Sequence, residues 1–353
     1  MIYRFSSMAE AQPLRVLVVT NMYPTTQAPA YGAFVASQVD ALREIGVDIT
    51  VEFIDGRREP WRYATAIPRV TRLAASGFDL VHAHYGLAGF VAAFHSRPLV
   101  VSFCGDDLLG TPGATGRPTA KSRLGMLLSQ YAAGRADAII CKSENLRESL
   151  PMPKDRARAA VIPNGVDTGR FNPGGRLEAR HRLGLDPDER VILFPAAPTV
   201  RRKRVDIAEA AVARASAQGV AARLWVVHGV LPEAMPDHYR AADCILVTSD
   251  WEGSPNVVKE ALCCDVPVVS VDVGDVAHWL RVAPGCRLVP RDPEGIAAGL
   301  VGVLTGPRRV DGAHLRQQLA ADRTARRVMA VYVGVLAGAA QSRSTPWRHR
   351  ASS

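Results

Sequence analysis

Two carboxylates eight positions apart, Glu252 and Glu260, bracket the segment E-G-S-P-N-V-V-K-E, which follows the apolar run DCILVTS (243 to 249). Such a run, then a Gly/Pro loop, then a helical pattern places the pair at the carboxyl end of a strand. Ser254 suits the N-cap of the helix, and Pro255 its first position, where a missing N–H costs nothing. The backbone N–H groups of Asn256 and Val257 are then left for an anion, which the helix dipole also favours. A phosphate fits there. Val257, Val258, Ala261 and Leu262 are expected to form the buried face, with Asn256, Lys259, Glu260 and Cys263 on another side. Glu260 is then available to a ribose diol, and Glu252, in the loop, can reach a polyhydroxyl group beyond the phosphates. The competing reading is a capped surface helix with two solvated acids.

A second feature supplies the opposite charge. Arg201, Arg202, Lys203 and Arg204 follow the run RVILFPA (190 to 196). Cations at a strand's carboxyl end can stabilise an anionic group bound there. A solvated basic turn is the alternative. A third stretch, VSFCGDDLLG (101 to 110), sets Cys104, Gly105, Asp106 and Asp107 after another apolar run. The thiol lacks a neighbouring base in sequence, and the carboxylates lack partners for a metal. His82 and His84 share one face of a strand, but no third ligand is evident. No metal is expected. Gly32 carries no side chain to block a phosphate, although a glycine before a helix is more often a turn residue.

The elements that must position these groups are legible as apolar runs bounded by turn signals. LRVLVVT (14 to 20), VDITVEF (47 to 53), DLVHAH (79 to 84), PLVVSF (98 to 103) and DAIIC (137 to 141) alternate with helix-length segments. Strand alternating with helix predicts a parallel sheet covered on both faces. The stretch VIPNGVDTGRFNPGG (161 to 175), rich in Pro, Gly and Asn, interrupts the pattern and predicts an interdomain boundary. A second cycle follows in RVILFPA, ARLWVVHG (222 to 229), DCILVTS, VPVVSVD (266 to 272) and CRLVP (286 to 290). The fold class is therefore α/β, with two doubly wound, Rossmann-like domains and a cleft between them. The expected divisions are a loose leader (1–13, with Met8 an equal candidate start), an N-terminal domain (14–165), a C-terminal domain (166–310), a helical segment returning toward the N-terminal domain (311–340) and a disordered basic tail (341–353).

Bulk properties limit the alternatives. A chain of 353 residues with 48% hydrophobic content can build a core in each of two domains. No run of about 18 uncharged apolar residues occurs, and the first residues lack the apolar stretch of a secretory signal. Cytoplasmic residence is expected. The six cysteines show no CxxC and no zinc spacing, so they are read as buried thiols. A formal charge of +9 is compatible with phosphate-rich ligands or peripheral contact with an anionic membrane. RNA-binding aromatics and a basic helix-turn-helix are absent, which argues against nucleic acid. The G-x-G-x-x-G fingerprint is missing too, which argues against a nicotinamide oxidoreductase.

The segment from Glu252 to Glu260, followed by A-L-x-x-x-x-P-V-V, resembles the E-x7-E signature of retaining glycosyltransferases of family 4. NMYPTTQAPAYGAF (21 to 34), VHAHYG (81 to 86) and IPNGVD (162 to 167) resemble other landmarks of that family, in order. The likeness spans residues 14 to about 305 and is strongest to bacterial polysaccharide enzymes of the teichuronic-acid type. It implies a GT-B architecture, with a nucleotide-sugar on the C-terminal domain and an acceptor on the N-terminal one. Glu260 would bind ribose, Glu252 the donor sugar hydroxyls, and the backbone of Gly253, Ser254, Pro255, Asn256 and Val257 the diphosphate and sugar. Gly32 would also approach the donor. Lys203 matches the family lysine. The family's other basic residue has no counterpart, since Ala197 and Pro198 stand there, so Arg201 or Arg202 substitutes. Glu252, Lys203 and Arg202 form the implied catalytic set. VSFCGDD resembles F-H-G-x-D, with Cys104 in place of the histidine. On this reading Cys104 is a cleft-wall residue, and His84, Cys104, Asp106 and Asp107 lie on the acceptor side, an aspartate positioning the acceptor or capping the next turn. The co-substrate is a nucleoside-diphosphate sugar, with no other cofactor. The acceptor class, whether saccharide, lipid-linked or small molecule, stays open. A nucleotide-sugar 2-epimerase and a non-catalytic nucleotide-sugar sensor are the rival functions.

Overall fold

The computed structural model describes residues 12–57, 59–113 and 117–344. The leader through residue 11, with the alternative start at Met8, and the tail from residue 345 lie outside those residues. The first sheet contains β1 (Arg15–Thr20), β2 (Asp48–Phe53), β3 (Leu80–His84), β4 (Leu99–Phe103), β5 (Ala138–Cys141) and β6 (Ala159–Val161), in the order β2-β1-β3-β4-β5-β6. The second contains β7 (Val191–Phe194), β8 (Arg223–Val226), β9 (Cys244–Val247), β10 (Val268–Val271) and β11 (Arg287–Val289), in the order β11-β10-β9-β7-β8. All pairings are parallel.

Parallel strands with helices on both faces need apolar residues at consecutive positions. β1 meets this with Val16, Leu17, Val18 and Val19, none with exposed surface, and β3, β4, β7 and β9 are buried throughout. β6 was not anticipated. Its three residues follow Arg156 and Arg158 with no apolar run, and its pairing with β5 is what makes it a strand.

In each sheet the chain order reverses once, between β1 and β3 and between β7 and β9. Loops leaving such neighbours turn to opposite faces and leave a crevice at the strands' carboxyl ends. The loops after those four strands carry Gly32, Tyr85, the Arg201–Lys203 turn and Glu252.

The helix Ala321–Ser344 runs back over the N-terminal domain and packs against the helix Ala33–Glu44. Its Tyr332 hydroxyl lies 2.6 Å from His82 Nδ1, and His82 Nε2 lies 2.8 Å from Ser102 Oγ. Burial, reinforced by Lys142, pushes the His82 pKa down to about 3, so this ring is a neutral hydrogen-bonding strut. The helix passes residue 340, where the tail was expected to follow, and is described through Ser344. Gln and Arg are adequate helix formers, so a polar sequence is no stop signal.

Candidate active site at the interdomain cleft

The loop after β7 closes in a tight turn over Arg201–Lys203, and the loop after β9 lies against it. Thr248 Oγ1 donates to the carbonyls of Lys203 (2.7 Å) and Arg204 (3.0 Å), and the Asp250 N–H donates to the Arg202 carbonyl at 2.8 Å. These bonds bring the cations onto the loop carboxylate. Glu252 accepts from Lys203 Nζ at 2.5 Å and Ser249 Oγ at 2.8 Å, and Arg202 lies 2.7 Å away. Burial acts to raise the Glu252 carboxyl, but Lys203 and Arg202 outweigh it and hold it below the ordinary glutamate value. An ionised Glu252 thus fixes both cations. Arg201 takes no part: it stands exposed at the head of the turn, because the turn directs Arg202 and Lys203 inward. Arg204 pairs instead with Asp206 and Asp250.

The helix Asn256–Cys263 begins one residue later than expected, with Pro255 at the N-cap. Ser254 does not cap because its hydroxyl is otherwise engaged. It accepts from Lys259 Nζ and donates to Asp275 Oδ2, both at 2.7 Å. Lys259 and Cys263, expected on a ligand-facing side, are fully buried, Lys259 because its ammonium turns back to Ser254. The N–H groups of the first turn nevertheless belong to Asn256 and Val257, as the sequence indicated.

Glu260 does face a cavity, of about 440 Å³, which the two domains share. Its carboxylate accepts from the Tyr239 hydroxyl at 2.6 Å. Burial pushes the Glu260 carboxyl above its usual value, opposed by Tyr239, Lys259 and Arg170. Asn256 and Val257 share the cavity wall with Val227, Val230 and Met235 of the C-terminal domain, while Ala33 and Phe34 enter from the other. Apolar walls with a few polar groups at one end, at this volume, suit a nucleoside. Gly32 lies at the helix start beside it with φ +70°, and a Cβ there would sit 2.3 Å from the Met22 carbonyl carbon. Its glycine is thus required first by its own loop.

Across the cleft, Asp107 is a loop organiser. It is 2% exposed and accepts from the backbone N–H groups of Cys104 (3.1 Å), Gly105 (2.7 Å) and Gly86 (3.1 Å). Its carboxylate is fully used, so it does not serve an acceptor. Burial raises its pKa to about 6 against the pull of those bonds. Asp106 instead accepts from Trp251 Nε1 at 3.2 Å, a bond between the domains. His84 is 1% exposed, and neither ring nitrogen has a hydrogen-bond partner among the described residues. Its ring centroid lies 4.2 Å from that of His82, and burial, with His82 and Lys142 nearby, holds its pKa well below the ordinary histidine value. The Cys104 thiol is pushed up to about 12, chiefly by burial and then by Asp107, so it is protonated at neutral pH and is no nucleophile. Gly105 and Gly253 meet face to face: a Cβ on Gly253 would lie 2.4 Å from the Cys104 carbonyl oxygen.

The spacing of the two glutamates and the basic run showed the C-terminal half of this site. Tyr239, Trp251 and Ser249 were missed, and only Trp251, an aromatic beside Glu252 in a loop, left a local signal.

Sequence comparison covers both halves. Residues 1–170 match Glycosyltransferase Family 4, and residues 190–306 match Glycosyl transferases group 1. The chain belongs to glycosyltransferase family 4. Among curated relatives, a teichuronic acid biosynthesis glycosyltransferase, TuaC of Bacillus subtilis, is 26% identical over 81% of this chain and 88% of its own length. A D-inositol 3-phosphate glycosyltransferase of Geodermatophilus obscurus is 30% identical over 67% of this chain, a match that spans 63% of that protein. The sucrose-phosphate synthase structure from Thermosynechococcus elongatus superposes with a TM-score of 0.76 at 18% identity, covering 93% of this family 4 chain and 100% of the other. The two-sheet architecture is accordingly GT-B. Among the described residues no helix is long and apolar enough to cross a membrane.

Proposed function

We propose that this glycosyltransferase moves a sugar from a nucleoside-diphosphate sugar to an acceptor hydroxyl in glycan biosynthesis, with retention at the anomeric carbon. The observation that carries the assignment of roles is the polarity of the site along one helix start. A cavity lined by Asn256, Val257 and Glu260 meets the helix start, and the Arg202–Lys203–Glu252 cluster stands in the loops that lead up to it.

In this reading the nucleoside occupies the cavity with its ribose diol on Glu260. The diphosphate lies along the first-turn N–H groups of Asn256 and Val257. Arg202 and Lys203 stabilise it as the bond from the sugar's anomeric carbon to the phosphate oxygen breaks and its electron pair passes to that oxygen. Glu252 holds both cations and reaches the sugar hydroxyls. Among the described residues no carboxylate is assigned the part of a glycosyl nucleophile, so the acceptor oxygen bonds to the anomeric carbon from the face the diphosphate leaves, and its proton passes to the departing phosphate. The two cations supply the charge, and no metal is assigned a role. Closure of the domains excludes water and limits hydrolysis of the donor.

The test is a screen of nucleotide-sugars for acceptor-dependent release of nucleoside diphosphate, with NMR of the product's anomeric proton. One donor class is expected to react, giving the donor's own anomeric configuration. An inverted product would remove the same-face mechanism.

A further inference from the structure

A second cavity, of about 640 Å³, lies on the opposite side of the domain crossing from the nucleoside cavity. The partition between them is thin. Pro163 lines one cavity and Gly165 the other, and between them Asn164 Nδ2 donates to Asn256 Oδ1 at 3.1 Å. The second cavity touches the sugar end of the site through Asp275, which accepts from Ser254. Its other wall comes from the acceptor-bearing domain, where Lys142 follows β5, and from the helix Ala321–Ser344, which brings Arg323 and Arg327.

The charge of this wall is positive on balance. Lys142, Arg281, Arg323 and Arg327 line it, and among the described residues none of the four forms an ion pair. Their partners are neutral. Lys142 Nζ, 1% exposed at residue level, donates to Gln38 Oε1 at 3.0 Å, Arg281 Nε to the Ala277 carbonyl at 3.1 Å, and Arg327 to the Val161 carbonyl at 2.6 Å. Arg323 and Arg327 stand one helical turn apart, where like charges repel. The wall's carboxylates are already engaged, Glu144 by Arg147 and Asp275 by Ser254 and Trp279. Four cations against two carboxylates leave the wall positive on balance, which suits a phosphoryl group, and the volume admits a phosphorylated saccharide.

We propose that this cavity binds a phosphoryl group carried by the acceptor. The word acceptor rests on the glycosyltransferase reading above; the anion site itself does not.

The test compares the full-length chain, an Arg323→Ala/Arg327→Ala variant, and an Arg72→Ala/Arg135→Ala control of equal charge. Calorimetric titration with inorganic phosphate and glycerol 3-phosphate probes a free phosphomonoester. Sedimentation with phosphatidylcholine vesicles, with and without phosphatidic acid, probes a lipid-borne one. The wild type and control are expected to bind alike, and the Arg323/Arg327 variant at least about 10-fold more weakly, the loss of one charge-assisted hydrogen bond or more. Free-probe binding indicates a soluble acceptor. Vesicle binding that requires phosphatidic acid and is competed by phosphate indicates a lipid-linked one. Equal binding by all three proteins, or no binding by the wild type to either probe, would overturn the proposal. If the arginine-dependent phosphate site exists but no nucleotide-sugar yields nucleoside diphosphate, the assignment to an acceptor is overturned and the functional reading fails separately.

Discussion

A Lys203→Met variant is expected to turn over roughly 100- to 1000-fold more slowly than the wild type, the usual effect of removing one aimed donor from a developing negative charge. Methionine keeps most of the apolar stem, so the loss reports the ammonium. Lys203 Nζ gives one hydrogen bond to Glu252, at 2.5 Å. An ammonium has three donors, and among the described residues the others have no partner and can meet a phosphate oxygen. Arg202 stays on Glu252 at 2.7 Å in the variant, so the buried carboxylate keeps a counterion and the fold should hold. Steady-state kinetics should show kcat falling more than donor KM rises, because the charge on the diphosphate is greatest as the glycosidic bond breaks. Wild-type turnover would place the leaving-group clamp elsewhere.

The second large effect is geometric. Gly253→Ala is expected to lower kcat about 100-fold, the scale of a displacement near 1 Å at a reacting centre. A Cβ at residue 253 would sit 2.4 Å from the Cys104 carbonyl oxygen and 2.8 Å from Gly105 Cα, both backbone atoms of the other domain. Ordinary contact begins near 3.4 Å, so the domains must separate by that difference. The nucleoside cavity is walled mainly by residues of the C-terminal domain around Glu260 and Tyr239, so donor affinity should stay close to the wild type. Unchanged kcat in this variant would mean that the contact of Gly105 with Gly253 does not belong to the reactive arrangement.

The parts of this architecture that the sequence disclosed are those where one local rule dominates. Parallel strands such as β7, apolar at every position, and β1, apolar from Val16 to Val19, stand out as runs, and the Pro/Gly-rich crossing stands out by contrast. Glu252 and Glu260 were recognisable because one loop and one helix set their spacing. What stayed hidden depends on residues distant in the chain. Tyr239 meets Glu260 across 21 positions, and Trp251 meets Asp106 across 145. The cap position was misplaced for the same reason. Ser254 has the right chemistry for an N-cap, but Asp275 from the next crossover and Lys259 from the helix compete for its hydroxyl and win. Asp107 and Asp106 were indistinguishable by sequence. The backbone N–H groups of residues 86, 104 and 105 converge on one carboxylate and leave its neighbour to Trp251.

Cys104 is likewise set by its surroundings and offers no thiolate at neutral pH. Burial keeps the thiol protonated, and its Sγ donates to the Ser102 carbonyl at 3.7 Å. Its place at the Gly105–Gly253 contact makes it part of the surface on which the domains close.

The central claim is that the nucleoside half of the donor lies in the cavity at the start of the Asn256–Cys263 helix, with its ribose on Glu260. It is tested most directly by calorimetric titration of the reactive nucleotide-sugar into the wild type and a Glu260→Ala variant of unchanged thermal stability. Loss of a charged acceptor for the diol is expected to weaken binding by roughly 10- to 100-fold. Equal affinity in the two proteins would contradict the placement of the donor.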